Sequence, residues 1–123
     1  MLSRCLLLCL FGGRILKVNV LGVEYEILVL SEEDFPKLKV MSASGLAELY
    51  DKKLIINKNN TTPGEDTYDN LEAYSNKVIR HEIVHAFFHE SGLIDYCQDE
   101  QLVDWIALQI PKIIKAMEET ACI

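Results

Sequence analysis

The first half of the chain alternates apolar and polar residues in the manner of β-strands. Residues 14–31 open with a β-rich run, after which apolar side chains fall at every second position: Val23, Tyr25, Ile27 and Val29. Gly22 lies where the chain must turn, so this segment is predicted to form a β-hairpin. Residues 32–38 are acidic and contain Pro36, which predicts a loop or one short helical turn.

A second hairpin is predicted between residues 47 and 57. Two short runs suited to strands, residues 47–50 and residues 54–57, flank a polar turn at residues 51–53. The following residues 58–68 contain Pro63 and Gly64, and their turn chemistry predicts a loop.

The second half of the chain is predicted to be helical. Asp69 and Glu72 have the spacing of a capping box, and the helix they open meets no breaker before Ser91-Gly92. Apolar residues lie on nearly every side of its later half, so we expect this helix to be central and buried. A further helix is predicted from about residue 99 to residue 110, where Pro111 either stops it or opens a new one.

Strands therefore come first and helices second. This order predicts an α+β domain in which helices pack on one face of a small antiparallel sheet. The 123 residues suffice for a single domain with a hydrophobic core. Residues 1–13 are of uncertain role, because the apolar run after Arg4 fits a short signal sequence, a first strand or a mis-assigned start, and is far too short to span a bilayer.

The charge and cysteine content narrow the possible partners and the compartment. A net charge of −7 argues against a surface for nucleic acid, which needs basic residues, and against docking on anionic lipid. The cysteines at positions 5, 9, 97 and 122 form no CxxC pair, so we expect free thiols in a reducing cytosol. The chain is accordingly expected to be cytoplasmic, with no nucleic-acid or membrane partner.

The predicted long helix contains the sequence His81-Glu82-Ile83-Val84-His85. Two histidines four residues apart project from one helix face and can reach the same metal ion. Zinc suits imidazole ligands and needs three protein ligands in a catalytic site, which leaves a position for water. Glu82 can take a proton from that water and deliver it to the leaving amine. The plainer interpretation, two exposed histidines and a solvated glutamate, fits poorly with so apolar a helix.

Glu100 is the best candidate for the third ligand. It begins the next predicted helix, and two helices joined by the turn at Ser91-Gly92 can fold back so that Glu100 faces the histidines. Asp104 follows one turn later and can accept the second ring N–H of a ligating histidine. Both residues could instead belong to a solvated acidic face.

Three other residues are weaker candidates for the metal. His89 is carried to the side of the helix and lies about 6 Å further along its axis than His85, with no glycine to break the helix before it. Asp95 and Asp99 precede Glu100 and stay open as alternatives.

Substrate contacts are predicted at the strand formed by residues 47–50. An extended peptide can add to the edge of a sheet through backbone hydrogen bonds. Tyr50 is the candidate to stabilise the tetrahedral oxyanion, and Tyr74 and Tyr96 are alternatives. The plainer interpretation of each is a core or surface aromatic residue.

Two motifs and a proline follow one another in a fixed order: His81-Glu82-x-x-His85-Ala86, Glu100-x-x-x-Asp104-x-x-Ala107 and Pro111. This arrangement resembles the ImmA/IrrE family of small zinc peptidases and, more broadly, is similar to minimal gluzincins. The resemblance covers about residues 46–111, including the strand hairpin before the active-site helix. Val103 and Ile106 depart from it, because family members often carry Ala and Phe at these positions.

The resemblance implies a zincin-type helix with zinc held by His81, His85 and Glu100, and with Glu82 as the general base. It also implies a bacterial or phage setting and a protein substrate, often a helix-turn-helix repressor encoded beside the peptidase. The chain is therefore predicted to be a zinc-dependent endopeptidase that uses an activated water molecule.

Two alternative functions stay open. The first is a non-catalytic zinc-binding interaction or regulatory protein of a phage or mobile element, which would show a closed four-ligand site that uses His89 or Cys97. The second is a metal-dependent hydrolase of another class, which would show a pocket too narrow for an extended peptide.

Overall fold

The computed structural model describes residues 16–61 and 71–123. Within these ranges four strands form one sheet: β1 (Leu16–Val20), β2 (Val23–Leu30), β3 (Gly45–Glu48) and β4 (Lys53–Asn57). The α-helices are α1 (Lys37–Val40), α2 (Leu71–Glu90), α3 (Ile94–Cys97) and α4 (Glu100–Glu119). A 3-10 helix, Lys58–Thr61, follows β4. The predicted α+β class is confirmed, whereas residues 1–13 and the capping residue predicted at Asp69 lie outside the described residues.

The sheet is mixed rather than antiparallel throughout, which corrects one part of the prediction. Its strand order is β1-β2-β4-β3. Each hairpin is antiparallel within itself, but β2 and β4 pair in parallel, with Ile27 opposite Leu54 and Val29 opposite Ile56. The direction of this central pair depends on how residues 31–44 return the chain across the sheet, and the pattern of apolar residues does not specify that path.

The two hairpins differ in how well their boundaries match the prediction. The first turns at Leu21 and Gly22, which both have positive φ (51° and 89°), as a tight two-residue turn requires. The second begins earlier than predicted, because β3 ends at Glu48 and Tyr50 belongs to the turn. This shift of two residues changes which side chains the edge strand presents.

Helix α2 packs against β1, β3 and β4 and forms the core with one face of the sheet. Alternate residues of the strands supply that face, and they pack with α2 in one cluster that includes Val20, Tyr25, Ile27, Val29, Leu54, Ile56, Val78 and Ala86. Helix α4 packs against α2 and α3. This places the long helix of the His-Glu-x-x-His sequence between the sheet and α4.

Helix α4 continues through Pro111 to Glu119, so Pro111 neither stops a helix nor opens one. Asp99 caps α4 by accepting the backbone N–H of Leu102 at 3.0 Å. The short helix α3 was not predicted. Among the described residues, no helix has the length and apolar character needed to cross a membrane.

The end of α2 is tied to the sheet by a polar cluster. The ring of Tyr25 on β2 is fully buried, and its hydroxyl donates to Glu90 Oε2 at 2.5 Å. Lys52, in the turn between β3 and β4, donates to the same oxygen at 2.8 Å. The hydrogen bonds from Lys52 and Tyr25 hold the pKa of Glu90 below its usual range. We therefore expect this cluster to stabilise the packing of α2 on the sheet.

Replacing Tyr25 with phenylalanine removes the hydroxyl donor and keeps the ring. We expect Tyr25→Phe to lower the free energy of unfolding by about 1–2 kcal/mol, because a hydrogen bond to a carboxylate is lost. Urea denaturation measures the change. Tyr50→Phe is the matched control, since Tyr50 is 92% exposed. A loss as large in the control as in Tyr25→Phe would contradict the role of the cluster.

Candidate metal centre

Helix α2 carries three polar side chains into the region between β3 and α4. His81 and His85 lie one turn apart on the same helix face, and Glu82 follows His81. His85 is 7% exposed and Glu82 is 4% exposed, while His81 is partly buried. Polar groups at this depth are costly unless they are paired or bind an ion.

Glu100, the first residue of α4, completes a compact group with the two histidines. Its Oε2 lies 2.9 Å from His81 Nε2, and its Oε1 lies 2.9 Å from His85 Nε2. The two Nε2 atoms are 3.2 Å apart. Among the His, Cys, Asp and Glu side chains of the described residues, one group of three has ligand atoms close enough together to share a metal ion: His81, His85 and Glu100.

The other ring nitrogen of each histidine also has a partner. His85 Nδ1 lies 2.6 Å from the carbonyl oxygen of Cys97, which can only accept, so His85 Nδ1 carries a proton. His81 Nδ1 lies 3.1 Å from Asp104 Oδ1. A hydrogen bond from Lys77 holds the pKa of Asp104 below its usual range, which keeps this carboxylate an acceptor. In the neutral form, both imidazoles therefore direct an Nε2 lone pair toward Glu100.

This donor set fits a zinc ion. When both imidazoles are neutral, two nitrogen lone pairs and a carboxylate converge, and a cation between them would relieve their repulsion. Imidazole nitrogen and carboxylate oxygen are common zinc ligands, and ligating histidines usually donate their other N–H to a carboxylate or a carbonyl. Three protein ligands also leave the open position that catalytic zinc sites have.

Glu82 lies against the edge strand, where Gly45 leaves space for it. A β-carbon at Gly45 would lie 2.7 Å from Glu82 Oε2 and 2.9 Å from Val78 Cγ1. Both distances are too short for non-bonded atoms, so any larger residue would displace the carboxylate or the strand. Glycine is needed here for close approach of the strand to α2.

Burial shifts the protonation of the two most enclosed groups. Burial and the negative charge of Glu100 raise the pKa of Glu82 to about 8, and Lys77 opposes this change. Burial lowers the pKa of His85, although Glu100 acts in the opposite direction. Both side chains thus favour their neutral forms in the metal-free protein. A cation at the cluster would favour the ionised form of Glu82.

Two cavities of about 340 Å³ each adjoin the cluster along β3. They share five lining residues: Gly45, Leu46, His81, Glu82 and Glu100. The first continues past Tyr74 and Lys77, and the second continues past Leu49 and Gln98. A groove along the edge of the sheet therefore runs past the group of His81, His85 and Glu100 and extends beyond it in both directions.

The structure brings five of the predicted site residues together: His81, Glu82, His85, Glu100 and Asp104. It does not bring Tyr50 to the cluster, because β3 ends before this residue and the turn carries its ring to His89, with the ring centroids 5.6 Å apart. Tyr74 does line the first cavity, and its hydroxyl lies 2.5 Å from that of Ser44. Tyr96 packs beside Phe88 instead.

Three contributors to the site were not predicted from the sequence: Gly45, Lys77 and the carbonyl group of Cys97. A glycine within a strand can signal close approach of another backbone or side chain. Lys77 lies one turn before His81 on the same helix face, which could have indicated it. The Cys97 carbonyl carries no sequence signal, because every residue has a backbone carbonyl group.

Comparisons of the chain with protein-family profiles, with curated proteins and with solved structures found no significant match in any of the three. The function is therefore inferred from the geometry and chemistry of the site.

Gly45→Ala tests whether the missing β-carbon makes room for Glu82. We expect the substitution to lower the free energy of unfolding by about 1–3 kcal/mol through overpacking. Glu82→Ala removes the nearest colliding atoms, so the same substitution should cost less in that background. Denaturation of the four proteins of this cycle measures the difference. Equal costs in both backgrounds would show that Gly45 does not accommodate Glu82.

Glu82→Gln keeps the shape of the side chain and removes its titration. Because folding raises this pKa from 4.5 to about 8, the folded protein binds a proton more tightly than the unfolded chain and loses stability as the pH rises through this interval. In chelator-treated protein we expect the variant to be more stable than the wild type by roughly 4–5 kcal/mol near pH 9, and equally stable near pH 4. Urea denaturation of both proteins between about pH 4 and pH 9 measures the difference in their free energies of unfolding. A difference that does not vary with pH would contradict the raised pKa.

Proposed function

We propose that this chain is a zinc-dependent endopeptidase of the small gluzincin type, similar to the ImmA/IrrE family. One observation carries the proposal: the Nε2 atoms of His81 and His85 converge on the Glu100 carboxylate, while acceptors hold both Nδ1 atoms. The arrangement suits three-ligand zinc with an open position, which is typical of catalytic rather than structural zinc sites.

Zinc at this position would act as a Lewis acid that polarises a peptide carbonyl and acidifies water. Glu82 is the residue suited to move the proton, since its carboxylate lines both cavities beside the cluster. It takes a proton from the attacking water and delivers it to the leaving nitrogen as the C–N bond breaks, which gives a carboxylate and an amine. Its position beside the cluster favours this role, because a cation at the cluster would favour the ionised carboxylate that a general base requires.

The exposed edge of β3 supports the binding of an extended peptide. The Ser44 carbonyl accepts the N–H of Asn57 at 2.9 Å. In the antiparallel register of β3 and β4, the backbone groups of Gly45 and Ala47 are then directed away from β4. Both residues also line the second cavity. A substrate strand can pair with them and lie in the groove that passes the cluster.

The proposed substrate is a protein segment that can become extended. A helix-turn-helix repressor of a phage or mobile element is the candidate that the family resemblance suggests. An open groove suits such a segment better than the narrow pocket expected for a hydrolase of another class.

No observation on the described residues favours the non-catalytic alternative. Cys97 Sγ lies 3.9 Å from His85 Nδ1, on the side of the ring away from Glu100, and donates to the His85 carbonyl at 3.3 Å. His89 packs with Tyr50. Neither residue is placed to close the open position as a fourth ligand.

Zinc content and peptidase activity of purified variants test the proposal. We expect about one zinc ion per wild-type chain and a sharp loss of zinc in Glu100→Ala, because two ligands hold zinc far more weakly than three. Glu82→Gln should keep its zinc and lose activity by about 100-fold or more, because the general base is removed. Metal analysis and mass spectrometry of cleavage products measure both effects.

Asp95→Ala is the matched control for this experiment, since it removes a neighbouring carboxylate that is not part of the group. It should keep both zinc and activity. Zinc retained in Glu100→Ala would remove Glu100 as a ligand, and undiminished activity in Glu82→Gln would remove Glu82 as the base.

A further inference from the structure

Pro111 lies in the interior of α4 and removes one of its backbone hydrogen bonds. In a regular helix the N–H of residue 111 would donate to the carbonyl oxygen of Ala107, but proline has no N–H. Ala107 is fully buried, so water does not reach its carbonyl oxygen. A buried carbonyl without its helical donor is costly, and the protein must satisfy it in another way.

Arg80 on α2 supplies a donor at this point. Its Nε lies 2.7 Å from the Ala107 carbonyl oxygen, which is the short distance of a charge-assisted hydrogen bond. Burial lowers the pKa of the Arg80 guanidinium, yet an arginine keeps its proton in a folded protein. A cation on α2 thus replaces the hydrogen bond that Pro111 removes from α4.

The position of this Arg80–Ala107 contact relates it to the metal centre. Arg80 directly precedes His81 on α2. Ala107 lies about one turn after Asp104 and about two turns after Glu100 on α4. Because a helix moves largely as a rigid body, fixing Ala107 along α2 also fixes the side chains that face the histidines.

We propose that Arg80 is a positioning residue of the metal centre. By binding the carbonyl that Pro111 leaves without its helical donor, it sets the position of α4 along α2 and holds Glu100 opposite the histidines. A displacement of about 1 Å is enough to spoil a ligand set. The consequence for metal binding rests on the proposed function, whereas the contact between the helices does not.

Lys77, a second cation between the two helices, is a weaker restraint. Lys77 Nζ lies 2.7 Å from Asp104 Oδ1, but their side chains are 24% and 43% exposed. Ion pairs that are open to solvent contribute little, because water and salt screen them. The Ala107 carbonyl is buried and shielded from water, which strengthens its hydrogen bond with Arg80, so the Arg80–Ala107 contact restrains α4 more strongly.

A double-mutant cycle between Arg80 and Pro111 tests the contact. Arg80→Met keeps an apolar stem and removes the donor, while Pro111→Ala restores an N–H that can donate to Ala107 within the helix. With Pro111 present, we expect Arg80→Met to raise the unfolding equilibrium constant of chelator-treated protein about tenfold. In the Pro111→Ala background we expect the change to stay below about threefold.

Lys112→Met is the matched control, since it removes an exposed positive charge beside Pro111 without reaching the Ala107 carbonyl. It should leave the unfolding constant unchanged. If Arg80→Met has the same effect in both backgrounds, Arg80 does not compensate for the proline and the inference is overturned.

Zinc affinity, measured by competition with a chelating dye, tests the positioning role. We expect Arg80→Met to weaken zinc binding about tenfold when Pro111 is present and by less than about threefold in the Pro111→Ala background. Loss of a positive charge beside a cation site would by itself strengthen binding, so weaker binding identifies a loss of position.

The two readouts separate the inference from the proposed function. If the wild type binds no zinc, the proposed function fails, and the unfolding cycle still decides whether the Arg80–Ala107 contact exists. If the wild type binds zinc and Arg80→Met binds it as tightly, the positioning role is overturned and the proposed function stands.

Discussion

A histidine binds a cation through a ring lone pair, so metal binding at this cluster would depend on which nitrogen of each imidazole carries the proton. Two acceptors make that choice: the Cys97 carbonyl at the end of α3 and the Asp104 carboxylate on α4. Both follow α2 in the chain, beyond the turn at Gly92, which has a positive φ of 78°. The short connection after α2 therefore places both Nδ1 acceptors and the third donor, Glu100, beside the histidines. One connection thus both orients the imidazoles and completes the group.

The helical part of the site could be predicted because its geometry is local. His81 and His85 share a face whatever surrounds the helix, since the spacing of four residues fixes their direction. Glu100 and Asp104 are related in the same way on α4, and a connection of nine residues, 91–99, limits how far the two helices can separate. The hairpins were predictable for a similar reason, because alternation and turn residues act over short distances.

The remaining features depend on contacts between distant segments. The parallel pairing of β2 and β4 is decided by the path of residues 31–44, and the importance of Gly45 depends on Glu82, which lies 37 residues later in the chain. Tyr50 was assigned to a strand that ends two residues earlier. Pro111 was expected to interrupt α4, yet a side chain from α2 satisfies the carbonyl that the proline leaves without its donor. Local propensity cannot supply such information.

The electrostatics of the cluster connect metal binding to folding. Folding buries the carboxylate of Glu82 and brings it close to the charge of Glu100, and both effects raise the Glu82 pKa, while Lys77 opposes the change. The unfolded chain does not bear this cost, because its carboxylates are separated and solvated. A cation at the three donors would offset the repulsion in the folded state alone, and its binding free energy would then add to stability. The burial that raises the pKa of Glu82 would therefore make the stability of the folded protein depend on a cation bound beside it.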